Sequence, residues 1–204
     1  MTDKAIHPAR RPLRLRDYDY ASADYYFLTV CTYKRECLLG QVADGRMQVS
    51  AEGAAVTQTW LGLPGRFPAV VHDAFVVMPN HVHGVLVLRP TDVAPDSAAP
   101  GAASSAPTSS DLAPPHRPPT LGAVVRAFKS ISAIRVNQLL ARSGAVWQRG
   151  FYDHVVRDEP SLLRIKEYIA TNPLRWSLDR ENPTRTGEDD FDRWQRTFAR
   201  HGEG

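Results

Sequence analysis

The sequence predicts an α+β sandwich on the split βαβ plan, with an antiparallel sheet covered by helices on one face and a further C-terminal helix. Two observations carry this. Hydrophobic patterns follow one another as strand, helix, strand, strand, helix, strand and helix along the 204 residues. In addition, Val70 to Met78 and His81 to Leu88 are separated only by Pro79-Asn80, a connection short enough to join only neighbouring antiparallel strands. Hydrophobic residues at 43% and charged residues at 23% fit one core-bearing domain with appendages.

The elements follow in order. Tyr25 to Tyr33 is rich in aromatic and β-branched residues and reads as a strand. Leu38 to Val42 and Met47 to Val49 flank the turn dipeptide Asp44-Gly45 and form a hairpin. Ser50 is the expected N-cap of a helix over Ala51 to Leu63, ended by Pro64-Gly65. After the tandem strands, Leu121, Val124, Val125, Phe128, Ile131, Ile134 and Leu139 recur near helical spacing, so Thr120 to Ala141 reads as a long amphipathic helix closed by Gly144. Val146 to Val156 is expected to be a short strand with a loop, and the last helix begins near Pro160 with Asp158 as its cap.

Composition divides the chain further. Between Pro90 and Pro119 lie eight of the sixteen prolines among runs of Ala and Ser, a composition that buries too little apolar surface to offset its ordering entropy. The expected organisation is a basic arm at 1–23, a domain at 24–178 interrupted by a flexible insertion at 90–119, and a charged tail at 179–204. Insertion and tail are net acidic, so the remainder is more basic than the overall charge of +3. Thr120 to Phe151 holds Arg126, Lys129, Arg135, Arg142 and Arg149 with no acidic residue, which suits a polyanionic partner, although charge alone supports a solvated helix face at least as well. No apolar run approaches the ~20 residues of a membrane span. The N-terminus lacks the apolar core of a secretory signal, and Cys31 and Cys37 are too few for a disulfide scaffold, so a reducing cytoplasm is the expected compartment.

The chemistry concentrates in two segments. In Met78-Pro79-Asn80-His81-Val82-His83-Gly84, strand alternation turns His81 and His83 to the same side, a pair of imidazoles fit for a metal ion, with Gly84 leaving room for a ligand to approach. On the last helix Tyr168 and Asn172 lie one turn apart, where a phenol and an amide oxygen address one metal-bound phosphate; the alternative is a packed tyrosine with Asn172 ending the helix before Pro173. Tyr152, beside Asp153 and His154, is a competing phenol.

Three ordered motifs, Met78-Pro79-Asn80-His81-Val82-His83, Trp147 to Arg157, and Tyr168-Ile169-Ala170-Thr171-Asn172-Pro173, resemble the REP-associated tyrosine transposases of the wider HUH single-tyrosine group. The resemblance covers most of Asp24 to Leu88 and Thr120 to Trp176 and leaves the insertion and the tail without counterpart. It implies a ferredoxin-like fold, a single-stranded or hairpin DNA substrate and nucleoid association. By position it also implies Tyr168 as nucleophile, with His81, His83 and Asn172 around Mg²⁺ or Mn²⁺. The implied reaction is nicking and strand transfer at hairpin-forming repeats through a 5′-phosphotyrosine, without a nucleotide cofactor, by a monomer or homodimer.

Tyr152 and His154 are then expected in supporting roles. Arg126, Lys129 and Arg135, with Arg149 and Arg157 near the site, are the expected DNA contacts, and Arg10, Arg11, Arg14 and Arg16 either extend them or form a disordered solubilising arm. Trp147 is open to base stacking or to core packing. The competing reading is a regulatory hairpin-binding protein of the same fold without turnover. A small-molecule metal hydrolase is disfavoured by the basic helix and the lack of a third histidine.

Overall fold

The computed structural model describes residues 25–89 and 119–200, the last three without their side chains. The basic arm with Arg10, Arg11, Arg14 and Arg16, and nearly all of the Pro-rich insertion, lie outside the described residues. The chain runs through β1 (Tyr25–Cys31), a 3-10 turn (Tyr33–Arg35), the hairpin β2 (Gly40–Ala43) and β3 (Arg46–Val49), then α1 (Ala51–Leu61) and a single-turn α2 (Leu63–Arg66). It continues through β4 (Val70–Met78), β5 (His81–Leu88), α3 (Leu121–Leu139), β6 (Tyr152–Val156), α4 (Glu159–Thr171), a 3-10 helix (Asn172–Leu178) and α5 (Asp190–Arg200).

Four strands form one antiparallel sheet in the order β4-β5-β1-β6, so β5 lies between β1 and β4 and splits the unit that α1 connects. The α+β class and the antiparallel sheet are as the sequence predicts. Side-chain alternation gives the sheet two faces. On one, Tyr26, Leu28, Val30, Val82, Leu86 and Val155 pack under α1 and α3 around Val56, Trp60, Val124 and Phe128. On the other, Phe27, Val85 and Val156 pack against Ile165, Tyr168 and Ile169 of α4 and Phe191 of α5. Helices therefore cover both faces, and the functional residues lie under the second layer.

Local signals explain the boundaries. Ser50 Oγ accepts from Gly53 N–H and Thr120 Oγ1 from Ala123 N–H, capping α1 and α3, and Asp158 caps α4 through Ser161 N–H. Asp44 and Gly45 both take positive φ, the hairpin turn that matches strand twist. The expected strand at Val146–Val156 is shorter: only Tyr152–Val156 pairs with β1, while Trp147 makes an isolated bridge to Thr32. Trp147 is buried with its indole N–H donating to Ser132 Oγ at 2.9 Å, so its ring packs in the core. No described helix is long and apolar enough to cross a membrane.

Gly84 corrects another expectation. Alternation puts it on the α1 face, away from the histidines, where a Cβ would stand 2.5 Å from the Trp60 ring. The missing side chain makes room for an indole stacked on Phe75 (centroids 4.6 Å apart) and edge-on to Phe128, so the glycine serves packing. Gly84→Ala is expected to cost about 1–3 kcal/mol by overpacking. A fall in the urea midpoint with unchanged slope checks this.

Candidate metal and tyrosine site

The two-residue connection at Pro79-Asn80 starts β5 so that His81 and His83 both face α4, and their Nε2 atoms lie 3.0 Å apart. Each ring is fixed from behind. Asn80 Nδ2–H donates to Glu181 O (2.7 Å) and Arg35 O (3.3 Å), which turns the amide oxygen toward His81 Nδ1 at 2.9 Å. An oxygen acceptor there requires a proton on Nδ1, which leaves His81 Nε2 with its lone pair free for a ligand role. His83 Nδ1 pairs with Thr29 Oγ1 at 3.0 Å across β1.

The third component comes from the far end of α4. Its buried stripe places the Tyr168 hydroxyl 3.3 Å from His83 Nε2, and Asn172 follows one turn later. Asn172 does not end the helix by leaving the helical region: its backbone stays αR and the chain tightens into the 3-10 helix through Pro173. That turn delivers Asp179, which sequence reasoning assigned to the tail. Asp179 Oδ2 accepts from Asn172 Nδ2 (2.9 Å) and from the Tyr168 hydroxyl (3.3 Å), and it lies 3.7 Å from His81 Nε2 and 4.0 Å from His83 Nε2. Its Oδ1 accepts from Glu181 N–H at 2.7 Å. Nothing in local spacing pointed to Asp179, because helical periodicity ends between it and Asn172.

These residues fit a divalent cation. His81, His83 and Asp179 each offer one donor atom within 4.8 Å of the others. Two imidazole nitrogens bound at about 2.1 Å and near right angles on one ion lie about 3 Å apart. Asn172 Oδ1 is buried without a hydrogen-bond partner, a cost that an ion beside it would remove. Electrostatics agree. Burial, then the other imidazole, lowers His83 to about 3, and burial lowers His81, so both rings are neutral and able to ligate. Burial works to raise Asp179; against it stand the two imidazoles, whose attraction requires one of them to hold a proton, and the hydrogen bonds from the Asn172 amide and the Glu181 N–H, and the net direction is down. Burial first, and then Asp179, Asp192 and Asp189, push the Tyr168 phenol well above its ordinary value.

The site is closed. Tyr168 is 3% exposed, and the Phe191 ring stacks on it with centroids 3.7 Å apart and planes at 5°. The segment expected to be a charged tail supplies this cover: Asp189 caps α5 through Phe191 N–H, and Arg175 holds Asp189 at 3.0 Å. The cover carries a weakness, since both Asp192 carboxylate oxygens are buried without a hydrogen-bond partner and burial lifts that group to about 6.

The remaining candidates fall elsewhere. Tyr152 stands level with Thr29, which is level with His83, so two strand spacings, about 10 Å, separate Tyr152 from the imidazoles. His154, opposite Phe27, is lowered to about 4 by burial and then by Arg157. Arg126, Lys129 and Arg149 line a groove between α3 and the 144–151 loop in the helical layer across the sheet from the histidines. Lys129 Nζ donates to Gln148 O and Gly150 O, both at 2.7 Å, and so holds that loop. Arg135 donates to Thr59 on α1. Arg157 lies past the far end of β6, near Tyr25 rather than near the tyrosine site.

Fold comparison defines the class. The solved structure of a REP-associated tyrosine transposase bound to a REP hairpin matches with a TM-score of 0.50 and 18% identity, over 79% of this chain and 73% of that one. The chain has the fold of the REP-associated tyrosine transposases, the family its three motifs resemble. A protein of Haemophilus influenzae (strain ATCC 51907 / DSM 11121 / KW20 / Rd), named only as uncharacterized, is 38% identical over 172 residues, 83% of this chain and 91% of its own, and the two belong to one family. No protein-family model matches.

Bound Mn²⁺ is expected to stabilise the chain by about 2.7 kcal/mol at a hundredfold excess over its Kd, a shift of several degrees in thermal unfolding. His81→Ala and His83→Ala are expected to abolish that shift, and Asp179→Asn to reduce it. Differential scanning fluorimetry with and without chelator is the measurement.

Proposed function

We propose that the chain is a metal-dependent DNA nickase and strand transferase acting on hairpin-forming single strands through a 5′-phosphotyrosine at Tyr168. The observation that carries the reading is the convergence of one phenol, two neutral imidazoles, a carboxamide and a carboxylate on one buried point. The fold shared with a transposase whose solved structure contains a REP hairpin supports DNA as the substrate class. A catalytic domain that begins near residue 24 and includes Asp179 and Phe191, and the DNA contacts Arg126, Lys129, Arg135, Arg149 and Arg157, belong to this reading as proposals.

His81 and His83, with Asp179 and Asn172 as oxygen donors, would hold the ion. A divalent cation there supplies positive charge to the scissile phosphate and lowers the energy of a phenolate. Thr29 and Asn80 keep the imidazoles aimed by holding their Nδ1 atoms. Asp179 Oδ2 and His83 Nε2 both lie 3.3 Å from the phenol oxygen, and with His83 holding the ion Asp179 would take the phenol proton. Tyr168 Oη forms a bond to phosphorus as the bond from phosphorus to the 3′ oxygen breaks, and the 3′ oxygen leaves as a hydroxyl, taking up the proton. In the reverse sense, a 3′-hydroxyl attacks the phosphotyrosine and frees Tyr168, so no external energy source is required.

A phosphate reaches Tyr168 only when α5 moves, because Phe191 lies flat on the ring. This requirement explains why the cover includes a buried, unpaired Asp192: a weaker seat permits opening.

Incubation with Mn²⁺ and a labelled hairpin oligonucleotide is expected to give a denaturant-stable adduct that Tyr168→Phe abolishes and Tyr152→Phe retains. An unchanged yield in Tyr168→Phe removes the assignment. An aromatic pair contributes about 0.5–1.5 kcal/mol beyond its buried area, so Phe191→Ala is expected to raise the initial rate of adduct formation about tenfold. A quenched time course measures that rate.

A further inference from the structure

A second binding feature lies beside the tyrosine, in the cleft between α4 and α5. Leu163, Arg164, Tyr168, Arg175 and Phe191 line it, together with the acidic Glu167 and Asp190. Arg164 precedes Tyr168 by one helical turn and Arg175 follows Asn172 by three residues, and both line the same cleft as Tyr168. Both are occupied by the C-terminal segment. Arg175 Nη1 donates to both oxygens of Asp189, at 3.0 and 3.4 Å, and the Arg164 guanidinium lies over the Trp194 ring at 4.7 Å. A carboxylate on one guanidinium and an aromatic plane on the other are the chemistry of a phosphate and a base.

We propose that Arg164 and Arg175 form a clamp for the backbone phosphates of the unpaired DNA next to the scissile position, and that Asp189 holds the phosphate position at Arg175 in the free protein. The inference rests on Tyr168 being the nucleophile, and it adds two cations that the basic helix and the N-terminal arm do not include. It separates sharply from a structural ion pair. If the Arg175–Asp189 contact only fastens α5, removing either partner has the same consequence. With the clamp, the two substitutions have opposite consequences: Asp189→Asn releases Arg175 to DNA, while Arg175→Gln removes the phosphate contact. Asn at 189 retains an oxygen to cap Phe191 N–H, so the α5 terminus survives that change.

The test is fluorescence anisotropy on the full chain, using a hairpin oligonucleotide with an unpaired arm and the same hairpin without it, across a salt series. Asp189→Asn is expected to tighten binding of the armed hairpin several-fold. Arg175→Gln and Arg164→Gln are each expected to weaken it about tenfold and to flatten its logarithmic salt slope by about 0.7 per lost phosphate contact. The armless hairpin is expected to bind all forms alike. Shifts of the same sign in Asp189→Asn and Arg175→Gln, no shift in either, or equal shifts on the armless hairpin overturn the clamp, with thermal melting confirming that each variant is folded. Opposite shifts without any Tyr168 adduct retain the clamp and overturn the strand-transfer reading, so the two failures are distinguishable.

Discussion

The period of two along β5 is the constraint on which the rest of the molecule depends. It sends His81, His83 and Val85 to the α4 face and Val82, Gly84 and Leu86 to the face under α1 and α3, so one eight-residue strand supplies half of a polar site and the centre of an apolar core. A slip of one residue would bury the imidazoles against Trp60 and turn the valines toward Tyr168. The register is held on both sides, by the direct β4 hairpin and by pairing with β1, where Cys31 meets His81 and Thr29 meets His83. Core packing on one face thus fixes ligand direction on the other.

Asn80 converts that register into chemistry. Its amide joins the strand turn to the backbone of Glu181 and Arg35, and the remaining oxygen selects the His81 tautomer. Glu181 is itself buried and paired with Arg35 at 2.9 Å. The segment after α4 is consequently anchored at the metal-competent histidines rather than draped over them, which is why Asp179 arrives within 4.0 Å of both Nε2 atoms. A buried carboxylate needs hydrogen bonds or positive charge to remain ionised, and Asp179 receives N–H bonds from Asn172 and Glu181 and an O–H bond from Tyr168.

What was legible in the sequence followed from fixed periodicities. The paired histidines come from strand alternation and the Tyr168–Asn172 relation from the helical turn, and both hold where backbone geometry is regular. The same alternation, applied one residue further, would have moved Gly84 to the opposite face, so the ligand-access reading of that glycine failed against a rule already in use. Asp179 was illegible for a different reason: the chain passes from α-helix to 3-10 helix at Asn172, and no single period connects the two residues. Asn80 reads as a turn residue in sequence, because the bonds that make it a positioning residue reach Arg35 and Glu181, 45 and 101 positions away. The composition of 179–204 suggested a charged tail outside the domain, whereas Asp179, Glu181, Asp189 and Asp192 are all buried.

That last mismatch has a physical logic. Arginines packed into a low-dielectric region need an opposite charge close by. Arg35 and Arg180 face Glu181, and Arg175 faces Asp189, so the chain's own carboxylates neutralise these guanidinium groups. Several acids gathered in one low-dielectric region repel one another, and Asp192, buried without a hydrogen-bond partner, is raised by burial and, against Arg180, by Asp179 and Asp189. The closed arrangement is therefore stabilised by stacking of Phe191 on Tyr168 and by ion pairs, and opposed by crowded carboxylates. Under the proposed clamp, a phosphate that takes the place of Asp189 on Arg175 relieves that opposition, since the acid then returns to water. Substrate binding and opening of the cover are on this account one exchange of anions.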